Sequence, residues 1–519
     1  MDRRIAAAAL GLCLAAPLHA QSLTVGIQSE PTTLDPQFNL LGTNTAIARN
    51  MFDTLIRRDP KLQLLPGLAL SWTAVDETTW EFKLREGVTF HDGSPFTADD
   101  VKFTFARVPN LPGNPNSYNT YLQGIKEVVV VDAQTVRFIT DGPNPLLPTN
   151  LSNLFILSGA KGNRTTAEFN SGQAVVGTGP FRYVSWQPGS PVVMTRSDGY
   201  WGGAPSWQRA SFRPIAQDSV RVASLLSGDV DFINAVPISG IPTIQNDRRF
   251  AVFGGPSSYV YMFYPNMKEG ALEGVTDPAG ATLPRNPFLD PRVRQAISIA
   301  INRQAIVDRV MEGRAAVANQ AVPEGFFGHA PNIPPVAYDV ERARTLLREA
   351  GYPTGFTTPF FCPNDRFVND SKICEAAAQM LGRVGIRANL QALPRAVFFP
   401  QRAKKEMPLN MAGWGSLTGE SSYFLTSVIH TPTRELNLGA INVSNISVPA
   451  LDTLMQRARR TLDDDDRRAL LQQVMEETIG QNLVIPVLTF EATWAGKANL
   501  RYTPRADEET QAIEITTAQ

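Results

Sequence analysis

Two extended apolar runs, 259–266 (YVYMFYPN) and 483–490 (LVIPVLTF), lie far apart in the chain, and each is interrupted by proline. Continuous β-branched, aromatic and aliphatic residues of this length read as extended segments. Lying side by side, the two would form a double hinge. The chain would then begin in one lobe, build all of a second lobe between the crossings, and return to the first. Its 519 residues suffice for this, at roughly 100–200 per domain.

Strands and helices intermingle around these runs. The segment 23–27 (LTVGI) is a short strand ending before a Glu-Pro turn, and 80–84 and 135–139 alternate apolar with polar residues, the pattern of half-buried strands. Residues 126–131 read as a more continuously apolar strand. Between them, 98–107 sets Val101, Phe105 and Val108 on one helical face, with Asp99 and Asp100 near its start. The second half is more helical. Asp290-Pro291 is a strong helix start, a capping carboxylate followed by a proline whose missing N–H costs nothing there. Asn302 and Asp339 open further helices stopped by Gly313 and Gly351. Others are expected at 371–384, 449–462 and 467–479, with the acidic run 463–466 as a solvated loop and helix start. The pattern predicts a mixed α/β protein, not a sandwich or a bundle.

Residues 1–20 (MDRRIAAAALGLCLAAPLHA) place Arg3 and Arg4 before an apolar stretch from Ile5 to Ala16 and end on small Ala20, the order of a secretory signal peptide. The stretch falls short of the ~20 residues a bilayer span needs. Cleavage after Ala20 predicts a soluble exported protein and leaves Cys362 and Cys374 as its two cysteines. In an oxidising compartment these are expected to form a disulfide. The other reading, reactive thiol chemistry, finds no CxxC partner and no nearby His. With 48 Lys plus Arg against 49 Asp plus Glu, no nucleic-acid partner is expected.

Catalytic signatures are missing. The sequence contains no G-x-S-x-G elbow, no G-x-x-x-x-G-K-[ST] phosphate loop and no H-E-x-x-H helix. Gly177-Thr178-Gly179 lacks a third glycine and runs into Pro180, so no dinucleotide cofactor is expected. His91, His329 and His430 are too scattered to suggest a metal site, and His91-Asp92 beside Gly93 and Pro95 reads as a polar turn. No enzyme activity, cofactor or metal is expected.

Several segments in a fixed order resemble the extracytoplasmic solute-binding proteins of ABC importers, in the dipeptide- and oligopeptide-binding family 5. They are Leu34-Asp35-Pro36, 50–55 (NMFDTL), 66–72 (PGLALSW), 80–93 (WEFKLREGVTFHDG), 96–101 (FTADDV), 177–181 (GTGPF), 199–203 (GYWGG), 226–231 (LSGDVD), 290–297 (DPRVRQAI) and 342–353 (RARTLLREAGYP). The resemblance implies a two-lobed periplasmic-binding-protein fold with a hinge and a central ligand cleft. Lobe I would span 21–262 and 485–519, with an extra subdomain at about 45–180, and lobe II would span 263–484. A peptide or similar small amphoteric solute would be enclosed as the lobes close and delivered by a monomer to an ABC permease in the inner membrane.

By the same resemblance, Glu420 in the loop 413–424 (GWGSLTGESSYF) stands where the family usually has Asp followed by Pro, and would bind the ligand's ammonium. Lys372, with Arg366 a second candidate, would hold a carboxylate; a lysine there offers a point charge instead of arginine's fork. Trp414 would pack over the ligand, and Thr43 and Asn44 would face it from lobe I. The departures at Glu420 and Lys372 keep open a sugar, an opine or a metal chelate as ligand. A reading of another class is an exported hydrolase.

Overall fold

A computed structural model describes residues 22–114 and 117–518, so the signal segment expected at 1–20, Cys13 included, lies outside the described residues. The two apolar runs lie side by side. The outgoing strand Phe250–Pro265 pairs antiparallel with the returning strand Ile485–Lys497, from Phe250 opposite Lys497 to Phe263 opposite Ile485. Tyr261, Phe263, Val487 and Leu488 are fully buried, which explains a run with no polar alternation. Pro256 and Pro486 sit at the two register shifts of this ladder, where a missing N–H removes no regular bond.

These crossing strands form the middle of an eleven-stranded sheet. Beyond the returning strand the order continues through Phe232–Ile233, Ser22–Ile27, Arg209–Pro214, Val192–Arg196 and Phe181–Ser185. Beyond the outgoing strand it continues through Leu409–Gly415, Phe356–Pro363 and Ile386–Leu393. One core packs on the first set around Val25, Phe181, Phe212 and Trp494. Two others form among the helices of the second half, one around Val293, Ile297, Leu346 and Leu381, the other around Val428, Met455 and Val474. The result is a mixed α/β fold of two lobes.

A separate four-stranded sheet (Ala69–Asp76, Thr79–Leu84, Thr135–Thr140, Ile125–Asp132) has its own core around Phe82, Phe90 and Phe138. Helix Ala98–Arg107 packs on it, opened by a capping box between Thr97 and Asp100. The apolar run within 126–131 proves to be an edge strand, with Val128 inward and Val131 48 % exposed. Its hydrophobicity alone gave no sign of this, because pairing partners decide which strand is central.

Helix starts follow the capping residues. Asp290 accepts the Arg292 N–H and Asp339 that of Arg342, while Asp463 accepts those of Asp465 and Asp466, so the acidic run is the first turn of Asp464–Gly480. The hairpin formed by Ile56–Arg58 and Leu64–Pro66 reaches across to the second half. Its tip residue Leu62 is 2 % exposed and lies in the core containing Phe326, Phe424 and Met475. Gln63 donates to the Gly325 carbonyl at 2.8 Å, and Arg58 donates to that of Leu417.

Candidate ligand-binding site

A cavity of about 300 Å³ lies where the crossing strands meet both halves of the chain. Tyr259, Tyr261, Phe490 and Glu491 come from the crossing strands, Gln28, Asp218 and Asn234 from the first half, and Arg314, Arg366 and Phe367 from the second. Glu508 enters from the C-terminal segment.

The loop bearing Arg366 is held from three directions. Buried Asp370 accepts the backbone N–H groups of Arg366 and Phe367, both at 3.0 Å. The Val368 N–H donates to the Tyr261 hydroxyl at 3.2 Å. Cys362 at the end of one strand and Cys374 in helix Asp370–Gly382 are joined by a disulfide, their Cα atoms 6.5 Å apart, so the bridge brackets the loop. The Arg366 guanidinium lies 4.8 Å from the Phe367 ring centroid and 5.8 Å from that of Tyr259. Aromatic faces favour a cation there while leaving its N–H donors free for an anion.

The other charges around the cavity are mostly paired. Arg314 meets Glu491 at 3.1 Å, and Asp218 meets Arg221 at 2.7 Å. Arg366 and Glu508 have no ion-pair partner among the described residues. The Glu508 carboxylate accepts the Ser257 hydroxyl at 2.6 Å. Burial pushes its pKa above the ordinary carboxylate value; the Ser257 bond pulls the other way, nearby Asp507 reinforces the rise, and the more distant Arg366 offsets it in part.

The residues expected to bind ligand are dispersed. Of the six, Arg366 is the one that lines this cavity. Glu420 is 3 % exposed and accepts from both terminal nitrogens of Arg467, at 3.3 and 3.2 Å, and from the Ser422 hydroxyl. It borders a second cavity, also about 300 Å³, with Trp72, Phe327 and Arg468. Lys372 is exposed on helix Asp370–Gly382, away from the central cavity. Trp414 packs against Tyr423 and Phe424, with centroids 5.2 and 5.7 Å away. Thr43 and Asn44 lie in the short helix Gly42–Ala48 and do not line this cavity. Buried Asn44 accepts from the Thr32 N–H at 2.9 Å and donates to the Asn39 carbonyl at 3.1 Å, while the Thr43 hydroxyl meets that of Ser29.

Glu508 escaped the sequence reading because 503–511 has no periodicity and no motif. Tyr259 and Phe490 were visible as hinge residues, but nothing in the sequence placed them in the lining of a cavity. Among the described residues, no helix is long and apolar enough to cross a membrane, and no group of three His, Cys, Asp or Glu is placed to hold a metal.

Two lobes joined by paired crossing strands, with a cavity at the joint, define a protein that captures a solute between its halves. The chain belongs to the bacterial extracellular solute-binding proteins, family 5, whose middle-region model matches residues 63–434. It is similar to the glutathione-binding protein GsiB of Escherichia coli (strain K12), at 28 % identity over 505 residues, covering 96 % of this chain and 94 % of that protein. Its fold is similar to that of HbpA2 from Haemophilus parasuis, with a TM-score of 0.83 and 23 % identity over 96 % of this chain and 100 % of that one. The periplasmic binding protein DppA from Helicobacter pylori, in complex with the peptide STSA, gives a TM-score of 0.72 and 22 % identity over 96 % and 98 %. As a member of that family, the chain is an extracellular solute-binding protein.

Proposed function

We propose that the protein is exported by a signal segment cleaved after Ala20 and acts in the periplasm as a monomer. Lobe II, 263–484, closes on lobe I, 21–262 and 485–519, around a peptide-like solute, which passes unaltered to an inner-membrane permease. The observation that carries this reading is Arg366, an arginine without an ion pair, held by a bracketed loop in a cavity at the joint of the lobes. A guanidinium so placed fits a ligand carboxylate bidentately. About 300 Å³ lies at the lower end of the ~300–1,000 Å³ typical of ligand pockets, which favours a solute the size of a short peptide. The glutathione-binding relatives support a small peptide with free carboxylates.

Closure follows from differential contact: a ligand touching both lobes stabilises the closed arrangement over the open one. In this reading Glu420 and its Arg467 partner order the loop 413–424. Native mass spectrometry of the mature protein, followed by titration calorimetry with glutathione and a panel of di- and tripeptides, tests the proposal. The expected result is one-to-one binding of a carboxylate-bearing peptide, its release with unchanged mass, and loss of affinity in Arg366→Gln. Equal affinity in Arg366→Gln would remove the carboxylate assignment, and a released product of altered mass would favour the hydrolase reading.

A further inference from the structure

Glu508 sits on backbone that a glutamate does not ordinarily adopt. Its φ of 63° is in the left-handed region, where a side chain with a Cβ is strained, and such residues cluster where function demands a particular direction. The surrounding structure is shaped to receive it. The outgoing strand shifts register between Pro256 and Val260, and in that bulge Ser257 donates its hydroxyl to the Glu508 carboxylate. The adjoining Ser258 N–H donates to the Ala506 carbonyl at 2.8 Å, tying the C-terminal segment to the bulge. The carboxylate is thereby held in the central cavity with one neutral hydroxyl and no cation within ion-pair distance.

An unpaired carboxylate and an unpaired guanidinium share this cavity without joining each other. The guanidinium is exposed at the rim and the carboxylate half-buried. Two unpaired charges of opposite sign lining one cavity supply complementary ends for a dipolar guest, each becoming enclosed as the guest binds. We propose that Glu508 is the cation anchor of the cavity, binding the ammonium of a zwitterionic solute whose carboxylate is held by Arg366. This rests on the reading of the cavity as the ligand site and narrows its ligand class. A solute with both charges satisfies both groups; one with a blocked amine leaves Glu508 unpaired and is rejected. Glu420 does not take this role, because its oxygens already accept two guanidinium N–H groups and a hydroxyl.

The test is titration calorimetry on the whole mature protein with glutathione and a panel of free-amine di- and tripeptides, each paired with its N-acetyl form. Removing one partner of a desolvated charge pair weakens binding by about 30-fold or more. Glu508→Gln is therefore expected to lose at least that factor for the free-amine form that the wild type binds best, with little change for its acetylated counterpart. Glu508→Asp should recover part of the loss. If Glu508→Gln does not fold, Ser257→Ala, which releases the carboxylate from its holder, should narrow the preference for the free amine in the same direction. Wild-type binding that Glu508→Gln leaves unchanged would overturn the anchor while the cavity reading stands. If the wild type binds no peptide of the panel, both fall together.

Discussion

Glu420 shows how a residue's sequence context and its surroundings can assign it different work. Its loop resembles one that faces ligand, yet its carboxylate is buried against Arg467, with side chains 4 % and 5 % exposed. The Arg467 guanidinium also lies 4.2 Å from the Phe327 ring centroid, so both partners are enclosed. Breaking a buried pair by removing one charge typically costs ~3–5 kcal/mol, because the other charge stays uncompensated. Glu420→Gln is expected to lower unfolding stability by that order in urea titrations, while peptide affinity changes far less than in Arg366→Gln. A large affinity loss with unchanged stability would return Glu420 to the ligand site. The sequence showed that Arg366 and Glu420 are charged; it did not show which of them already had a partner.

Short elements carry the next level of control. The disulfide brackets the loop that presents Arg366, which turns a stability device into a positioning one. Closing a loop of this size is worth about 3 kcal/mol in the chain-entropy model. The double variant Cys362→Ser/Cys374→Ser should therefore lose stability and bind peptide more weakly, with Asp370 and the Tyr261 hydroxyl left to hold the loop; calorimetry and urea unfolding read both. A second clamp surrounds Gly177-Thr178-Gly179. His91 Nε2 lies 2.9 Å from the Gly179 carbonyl, and its Nδ1 faces the Gly177 N–H, so the polar turn at His91 is a structural fastener. Asp53 accepts from Thr178, Tyr200 and Trp201.

Burial drives the two acid–base groups of this clamp in opposite directions: it lowers the His91 pKa to about 4 and raises that of Asp53 to about 6. The stability tied to neutral His91 is complete above pH ~6.5 and is lost as pH falls toward 4; that tied to protonated Asp53 is complete below pH ~4 and is lost as pH rises through 6. Each is worth about 3 kcal/mol, so between pH 4 and 6 they oppose each other. Asp53→Asn should make unfolding stability rise with pH across this window, and His91→Gln should make it fall. Parallel profiles for the two variants would refute the opposition.

At the scale of the whole molecule, the halves meet at more than the crossing strands. The hairpin tip at Leu62 is buried among second-half residues, and Gly419, at a φ of 74°, passes so close that a Cβ there would lie 2.7 Å from the Leu62 carbonyl. Leu62→Ala should cost ~2–5 kcal/mol as a core truncation and should enlarge the ligand-free protein in solution scattering by loosening this contact. Unchanged scattering with lowered stability would confine Leu62 to packing. Peptide binding should contract the wild type in the same measurement, since closure brings the lobes together.

The local elements and the double crossing were legible from the chain itself, because they depend on interactions between near neighbours. Capping by Asp290, Asp339 and Asp463 acts within one turn, and the runs at 259–266 and 483–490 are apolar enough to require burial wherever they go. The edge position of 126–131, the pairing of Glu420 with Arg467 and the arrival of Glu508 beside a strand bulge were decided by the tertiary structure. Each depends on which distant group comes within a few ångströms. A charge is worth little in water and a great deal once enclosed, so its role is set by the enclosure and the partner it finds there.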